Sequence, residues 1–418
     1  MIGKLVCATR VTIMAIAVLA GTVCWAGTYT VLYTFTGGFG GGQPNGSLIS
    51  DTAGNLYGTT FSGGTINSNC ASGCGVVFQL IKGSNGKWTE KVLHSFPGGT
   101  GGNQPATGLA MDSLGNLYGT TEFGGNTACA GGCGTVFELI PGSNGRWTWK
   151  GLHNFTGSTG GASPLGRLIL DASGNVYGTT YSGNNCSAAC GTVFELIHNA
   201  NGTWTYKGIY QFSHIQNGSN PAAGLTFDSL GNLYGTTEFG GVFDCASRTT
   251  CGTVFELMPG LNGHWTFQQL FAFTNLTGAY PTSELIFDSS GNLYGTTSIG
   301  GLGSGSNLPG NVFELMPPPS GPWTQQILSS QRAAQTLIFD TLGDLFGVAT
   351  GGGKGNATGL LFELSPGGGW TGSVLHTFNA PGGDFPTGAL IFDMSGNLYG
   401  TTSAGGAQSQ GVAFEYAP

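Results

Sequence analysis

The chain has 418 residues, and only 8% of them are charged, against about a quarter in an average soluble domain. Its 79 glycines come with an aromatic content of 11%, which excludes a disordered chain poor in aromatics and rich in net charge. The formal net charge of −8 becomes −10 once Lys4 and Arg10 are set aside with the leader described next, and this argues against nucleic acid and anionic membrane surfaces as partners.

Residues 1–26 read as a secretory signal peptide. Lys4 and Arg10 form a basic start, Val11–Ala20 is apolar apart from Thr12, and Cys24-Trp25-Ala26 places small residues three and one before a cleavage point. The apolar run is short for a membrane-spanning helix. An uncleaved N-terminal anchor is the other reading. A lipoprotein reading is weaker, because Cys24 follows Gly21-Thr22-Val23 without a small residue directly before it. The predicted organisation is a leader over 1–26 and one domain over 27–418, with no membrane insertion once the leader is cut.

The domain is a tandem repeat. Gly54-Asn-Leu-Tyr-Gly-Thr-Thr60 returns at Gly115, Gly174 (with Val176 for Leu), Gly231, Gly291 and Gly396, and a decayed copy starts at Gly343. Each unit predicts four strands. In the fifth unit the first is Glu284–Asp288, the second Leu293–Thr297 and the third Asn311–Leu315. The fourth strand is seen in the preceding unit over Trp265–Phe273, after the turn Asn262-Gly263. Asx and Gly supply the positive φ of tight hairpins, and β-branched and aromatic residues fill the strands. Seven such units predict an all-β fold, a seven-bladed β-propeller of four-stranded antiparallel blades. The segment Thr28–Phe35 matches a fourth strand, and the chain stops after a third strand, Gly411–Tyr416. The N-terminal strand is therefore expected to complete the last blade and close the ring, which removes two sheet edges.

Gly-Asn-Leu-Tyr-Gly-Thr-Thr followed by Val-Phe-Glu-Leu resembles the Gloeo-Verruco (GloVer) repeat of exported bacterial "choice-of-anchor" proteins. The resemblance spans all seven units and implies no known activity. A looser likeness to kelch propellers concerns architecture only.

Most recurrent residues read as structural. Asp51, Asp112, Asp171, Asp228, Asp288, Asp340 and Asp393 precede the Gly-Asn turns and can accept turn N–H groups. Third-strand Glu138, Glu195, Glu256, Glu314, Glu363 and Glu415 read as hydrogen-bonded sheet positions, and the tryptophans opening the fourth strands as inter-blade packing. His94, His153 and His376 share a repeat position with Tyr33, Tyr210, Phe271 and Leu328, which argues against metal binding or acid–base work. No metal or cofactor is expected. Eight cysteines pair locally as Cys70/Cys74, Cys129/Cys133, Cys186/Cys190 and Cys245/Cys251, all in the second-to-third-strand loops of the first four blades. In an exported chain this favours four disulfides; zinc would need such pairs to converge.

Alternation of turns puts the Cys loops and the inter-blade crossings on one face. Residues that break the repeat there are the candidates for ligand binding: Glu122 with Phe123, Glu238 with Phe239, Asp244 and Arg248 in the fourth-blade Cys loop, and Asp384 with Phe385 before the last blade. Acids beside aromatics suit sugars. No catalytic motif is present. The expected function is an exported, non-catalytic propeller, extracellular, at the cell surface or periplasmic, that binds a carbohydrate or protein partner. A secreted polysaccharide hydrolase or lyase and a structural envelope protein are the alternatives. A monomer with a radius of gyration of about 21 Å is predicted, and a clearly larger value by X-ray scattering would rule out a closed ring.

Overall fold

A computed structural model describes residues 27–183, 190–213, 217–241, 245, 250–300, 310–330, 337–350, 358–367 and 369–418. Seven antiparallel sheets form the blades of the propeller. Blade four is representative, with strands Thr226–Phe227, Leu233–Thr237, Thr253–Pro259 and Trp265–Ala272 paired in that order. In blade seven the N-terminal strand Thr28–Thr34 pairs with Val412–Ala417, from Thr28 opposite Ala417 to Thr34 opposite Val412. The ring closes as the sequence predicted. Among the described residues no helix is long and apolar enough to cross a membrane.

The first strands are shorter than expected. In blade five only Ile286–Phe287 pairs as strand, not Glu284–Asp288. The chain just before it leaves its own sheet to pack against the preceding blade. The first Thr of each Gly-Thr-Thr explains why. Thr59, Thr120, Thr179 and Thr236 donate to the carbonyls of Thr107, Pro164, Ala223 and Ser283 in the following blade, at 2.7–3.4 Å. Thr401 donates likewise to Gly46 and joins blade seven to blade one. First strands therefore lie toward the axis and the more exposed fourth strands at the perimeter.

The core sits between blades. Third-strand Phe78, Phe137, Phe194, Phe255, Phe313, Phe362 and Phe414 are fully buried. Six of them meet a phenylalanine at or just beyond the end of the fourth strand of the preceding blade, as Phe35 meets Phe78 and Phe155 meets Phe194, with ring centroids 5.0–5.3 Å apart. Burial of each ring is worth about 1.5–3 kcal/mol, and edge-on geometry adds about 0.5–1.5 kcal/mol. The tryptophans pack between blades as predicted: Trp147 lies against Tyr57 and Trp88 against Tyr399 of the preceding blade.

The recurrent polar residues close one network per blade except in blade six, where Phe346 replaces the Tyr and Asp340 accepts only the N–H groups of Leu342 and Asp344. Asp112 Oδ1 accepts the N–H groups of Leu114 and Asn116, and its Oδ2 accepts from the Asn116 amide. The Tyr118 hydroxyl lies 3.1 Å from Asp112 and 3.0 Å from Glu138, so one proton serves two carboxylates. In blade one Gln79 replaces the Glu and donates to Tyr57 instead.

Every fourth strand carries a bulge at an aliphatic residue, for example Leu93 between the pairs Val77–His94 and Phe78–Val92. This corrects one sequence alignment. In blade five the bulge falls at Leu328, so Ser329 holds the position of the histidines. Those histidines stack on the next blade's aromatics: His94 on Trp149, His153 on Tyr206 and His376 on Tyr29. Burial lowers the pKa of His94 and of His153 to about 4, which fits packing rather than proton transfer.

At the closing seam this position holds Tyr33, whose hydroxyl donates to Glu90 Oε2 at 2.8 Å. Glu90 Oε1 is buried without a partner among the described residues. Burial pushes the Glu90 carboxyl up from its usual 4.5 to about 7, against the opposing pull of the Tyr33 hydrogen bond. Between these values the folded state holds the proton more tightly than the unfolded state. The contribution to stability is therefore complete below about pH 4.5 and is lost as pH rises through about 7. Thermal melts of Glu90→Gln and the parent chain should coincide near pH 4.5, with the variant melting higher at pH 8. His94 and His153 titrate in both proteins, so the difference isolates Glu90. A constant gap across this range would contradict the assignment.

Candidate functional site

The second strands end in Thr-Thr at the face that carries the Cys loops. Just beyond them, short bridges such as Gly42–Ser62 and Ser219–Phe239 join the incoming crossing to this end of the second strand in blades one to five. The crossings contain a strained element. Gln43, Gln104, Ser163, Asn220, Tyr280 and Phe385 each precede a proline yet have φ of 52–59°. A following proline normally drives a residue to extended backbone, so surrounding contacts must hold this conformation. Two hydrogen bonds do so in most blades. The N–H of Gln104, Ser163, Asn220 and Tyr280 donates to the carbonyl of Cys74, Cys133, Cys190 and Cys251 in the preceding blade, and that of Gln43 to Gln410. Their own carbonyls accept from the residue after Thr-Thr, as Gln104 accepts from Glu122 and Asn220 from Glu238.

The disulfides anchor this rim. Cys70–Cys74, Cys129–Cys133 and Cys245–Cys251 are bonded, with Cα atoms 5.1–5.5 Å apart. Cys190 is also disulfide-bonded; Cys186 lies outside the described residues. Gly98 and Gly157 pack on the sulfur atoms of the first two bridges, so each bridge also touches the outgoing crossing of its blade. The second cysteine of each pair thus positions a rim residue of the next blade.

The residue after Thr-Thr follows the parity of the strand's Tyr and first Thr, so its side chain points toward the next blade. Around the ring it is Phe61, Glu122, Tyr181, Glu238, Ser298, Thr350 and Ser403. Blades one to four carry large aromatic and acidic side chains, and blades five to seven small hydroxyl groups. The Tyr181 hydroxyl donates to Glu238 Oε2 at 2.8 Å, across the seam between blades three and four. Burial raises the Glu122 pKa above the usual carboxylate range.

Other predicted site residues lie elsewhere. Phe123 turns away from Glu122 and covers Gly131 in the Cys129–Cys133 loop, whose added Cβ would lie 3.2 Å from the ring. Phe239 packs edge-on against Tyr280, centroids 5.4 Å apart. Both rings support the rim. Asp384 accepts from the Thr358 hydroxyl at 2.7 Å and so is committed to the seam between blades six and seven. Phe385 is 48% exposed. Asp244 and Arg248 lie outside the described residues.

Sequence reasoning missed Phe61 and Tyr181, which occupy the position of the two glutamates. It also missed an ion pair near the axis. Arg167 Nε lies 3.2 and 3.3 Å from the two Glu284 oxygens, and Nη2 lies 3.0 Å from Oε2. Arg167 belongs to blade three and Glu284 to blade five, and a Cβ on Gly224 of blade four would collide with Glu284 Oε1. The signal was present, since these are charged residues directly before the first-strand Leu168 and Leu285, where described blades elsewhere carry Ser47, Gly108, Gly224 and Ala389. Among the described residues no three His, Cys, Asp or Glu side chains converge as a metal set.

The cysteine pairing predicts that the chain without residues 1–26, denatured without reductant, shows no reactive thiol, and that reduction exposes eight. Intact-mass analysis after alkylation reads both numbers; alkylation before reduction would break the four-bridge assignment.

No curated protein matched the chain by sequence. Among solved structures, a fungal alcohol oxidase of the AA5 family in complex with copper superposes with a TM-score of 0.56 at 13% identity, covering 94% of this chain and 76% of that one. A Xanthomonas campestris gluconolactonase aligns at 0.40 and 14% identity, covering 77% and 86% of the two chains. A luciferin-regenerating enzyme aligns at 0.43 and 15%, covering 74% and 90%. At 13% identity the first shows a shared fold alone, and the other two superpose only loosely. The Gloeobacter/Verrucomicrobia repeat profile matches residues 20–183, 64–247, 127–327 and 247–418. Spanning all seven blades of the propeller, these matches make the chain a member of the Gloeobacter/Verrucomicrobia repeat family.

Proposed function

We propose that this protein is exported and binds carbohydrate on the Cys-loop face, over the rim of blades one to four. The observation that carries the reading is the sequence Phe61, Glu122, Tyr181, Glu238 at one repeat position in four consecutive blades. Aromatic faces pack on sugar rings, and carboxylates between them accept from hydroxyl groups. The same four blades carry the cysteine pairs, and a disulfide-braced rim lowers the ordering cost of binding. Export rests on the leader over 1–26 and on the disulfides, which persist in oxidising compartments. The reading is non-catalytic, because the site residues match no catalytic motif.

The test incubates the purified protein with a panel of soluble and insoluble polysaccharides, assaying both protein retention and new reducing ends. Retention without release is expected. Tyr181→Ala should weaken retention about tenfold, equivalent to about 1.4 kcal/mol, without lowering the melting temperature of the propeller by more than a few degrees. Release of reducing ends that Glu122→Gln or Glu238→Gln abolishes would make the protein a polysaccharide hydrolase or lyase instead. Retention on no polysaccharide would discard the carbohydrate reading and favour a protein partner or a structural role.

A further inference from the structure

We propose that the rim takes a cationic amino sugar, whose ammonium group pairs with Glu122 between Phe61 and Tyr181. This rests on the carbohydrate reading above and names the class of sugar.

The rim residues follow one another along an arc. The Tyr181–Glu238 bond shows that the position after Thr-Thr in one blade reaches the same position in the next. Glu122 therefore has an aromatic residue on either side of it along the arc, Phe61 in blade one and Tyr181 in blade three. Its backbone is fixed by the bond from its N–H to the Gln104 carbonyl. Its side chain is half-buried and accepts from no described side chain. Burial alone lifts its pKa, with no offset from a hydrogen bond or a nearby cation. A desolvated carboxylate without a partner is costly, and a ligand that brings a positive charge relieves that cost.

The chain has no cation of its own to place there. Of its 12 Lys and Arg residues, Lys4 and Arg10 belong to the leader. Lys91, Lys150 and Lys207 reach the third-to-fourth-strand turn of the following blade, on the face opposite the Cys loops. Lys82 lies over Trp88, and Lys87 and Arg146 sit in turns of that same opposite face. Arg167 is engaged by Glu284. By sequence Arg248 belongs to the blade-four Cys loop, two blades from Glu122, and Arg332 and Lys354 to segments of blade six. An ammonium group supplies donors and charge together, and flanking aromatic faces attract it as well. A hydroxyl group leaves the charge of Glu122 uncompensated, an acetamide removes the cation, and a uronate is repelled.

The experiment uses immobilised chitosan and polygalactosamine, each before and after complete N-acetylation. The parent chain should be retained on at least one free-amine polymer, and acetylation should weaken that retention at least about tenfold. Retention that survives acetylation, or that occurs only on neutral or acidic polysaccharides, overturns the cationic assignment and leaves the carbohydrate reading intact. Retention on no polysaccharide removes both. Glu122→Gln keeps the size of the side chain and should weaken retention on the free-amine polymer about tenfold at an unchanged melting temperature. Asp344→Asn removes the same charge from the opposite face and restores the Asn found there in the other blades, so it should change nothing. Equal losses in the two variants would mean bulk attraction between an acidic protein and a polycation and would overturn the role of Glu122. Free glucosamine should elute the protein where lysine at equal concentration does not. Elution by both alike would point to a basic protein partner and overturn the sugar assignment. The acetylation comparison uses the parent chain, so it decides the question even where a variant fails to fold.

Discussion

A phenylalanine ring resting on a glycine recurs in all seven blades and sets how closely the strands can stack. The glycine is the middle residue of each second strand (Leu-Tyr-Gly-Thr-Thr in five blades, Val176–Thr180 in blade three and Leu345–Ala349 in blade six), and a Cβ there would lie 2.5–2.7 Å from the third-strand phenylalanine. That distance is well inside van der Waals contact, so any side chain would push the ring into the neighbouring blade. The ring in turn meets the phenylalanine arriving from the preceding blade. The missing side chain, the buried ring and the inter-blade contact form one mechanical unit. The Thr hydroxyl bonded to the next blade's carbonyl locks the same seam nearer the axis.

This regularity makes the departures from it meaningful. A scaffold that repeats its packing seven times can vary a side chain whose backbone alone is used in the repeat, and the residue after Thr-Thr is such a position. The large residues there, the cysteine pairs and the bonds from cysteine carbonyls to strained rim residues all concentrate in blades one to four and the crossing into blade five. Blades five to seven keep small residues at the rim. One side of the face is built up and braced, and the other is left low.

The ion pair near the axis obeys a different logic. Arginine and glutamate cost desolvation energy wherever they are enclosed, and their attraction repays it only with good geometry. A three-contact arrangement over a glycine meets that condition. It joins blades three and five across Gly224, a connection that the aromatic seams between neighbouring blades do not make.

The blade count, the strand order within a blade and the closing role of Thr28–Thr34 were legible in the sequence, because each depends on local signals: Asx-Gly turns, period-two patterning and a fourth strand missing at one end and present at the other. The structural roles of the Asp turns, the third-strand glutamates and the tryptophans were legible for the same reason, since repetition itself marks packing. The candidate site was legible only in part. Glu122 and Glu238 stand out as charged residues in a nearly uncharged chain, whereas Phe61 and Tyr181 are hidden among many aromatics. Phe123, Phe239 and Asp384 looked equivalent to them, and only the pleat and the inter-blade contacts separate side chains that face the rim from those that support it. The meeting of Arg167 with Glu284, 117 positions apart in the chain, was decided by tertiary structure alone. No local rule connects blade three to blade five; curvature of the ring brings them to the same axis.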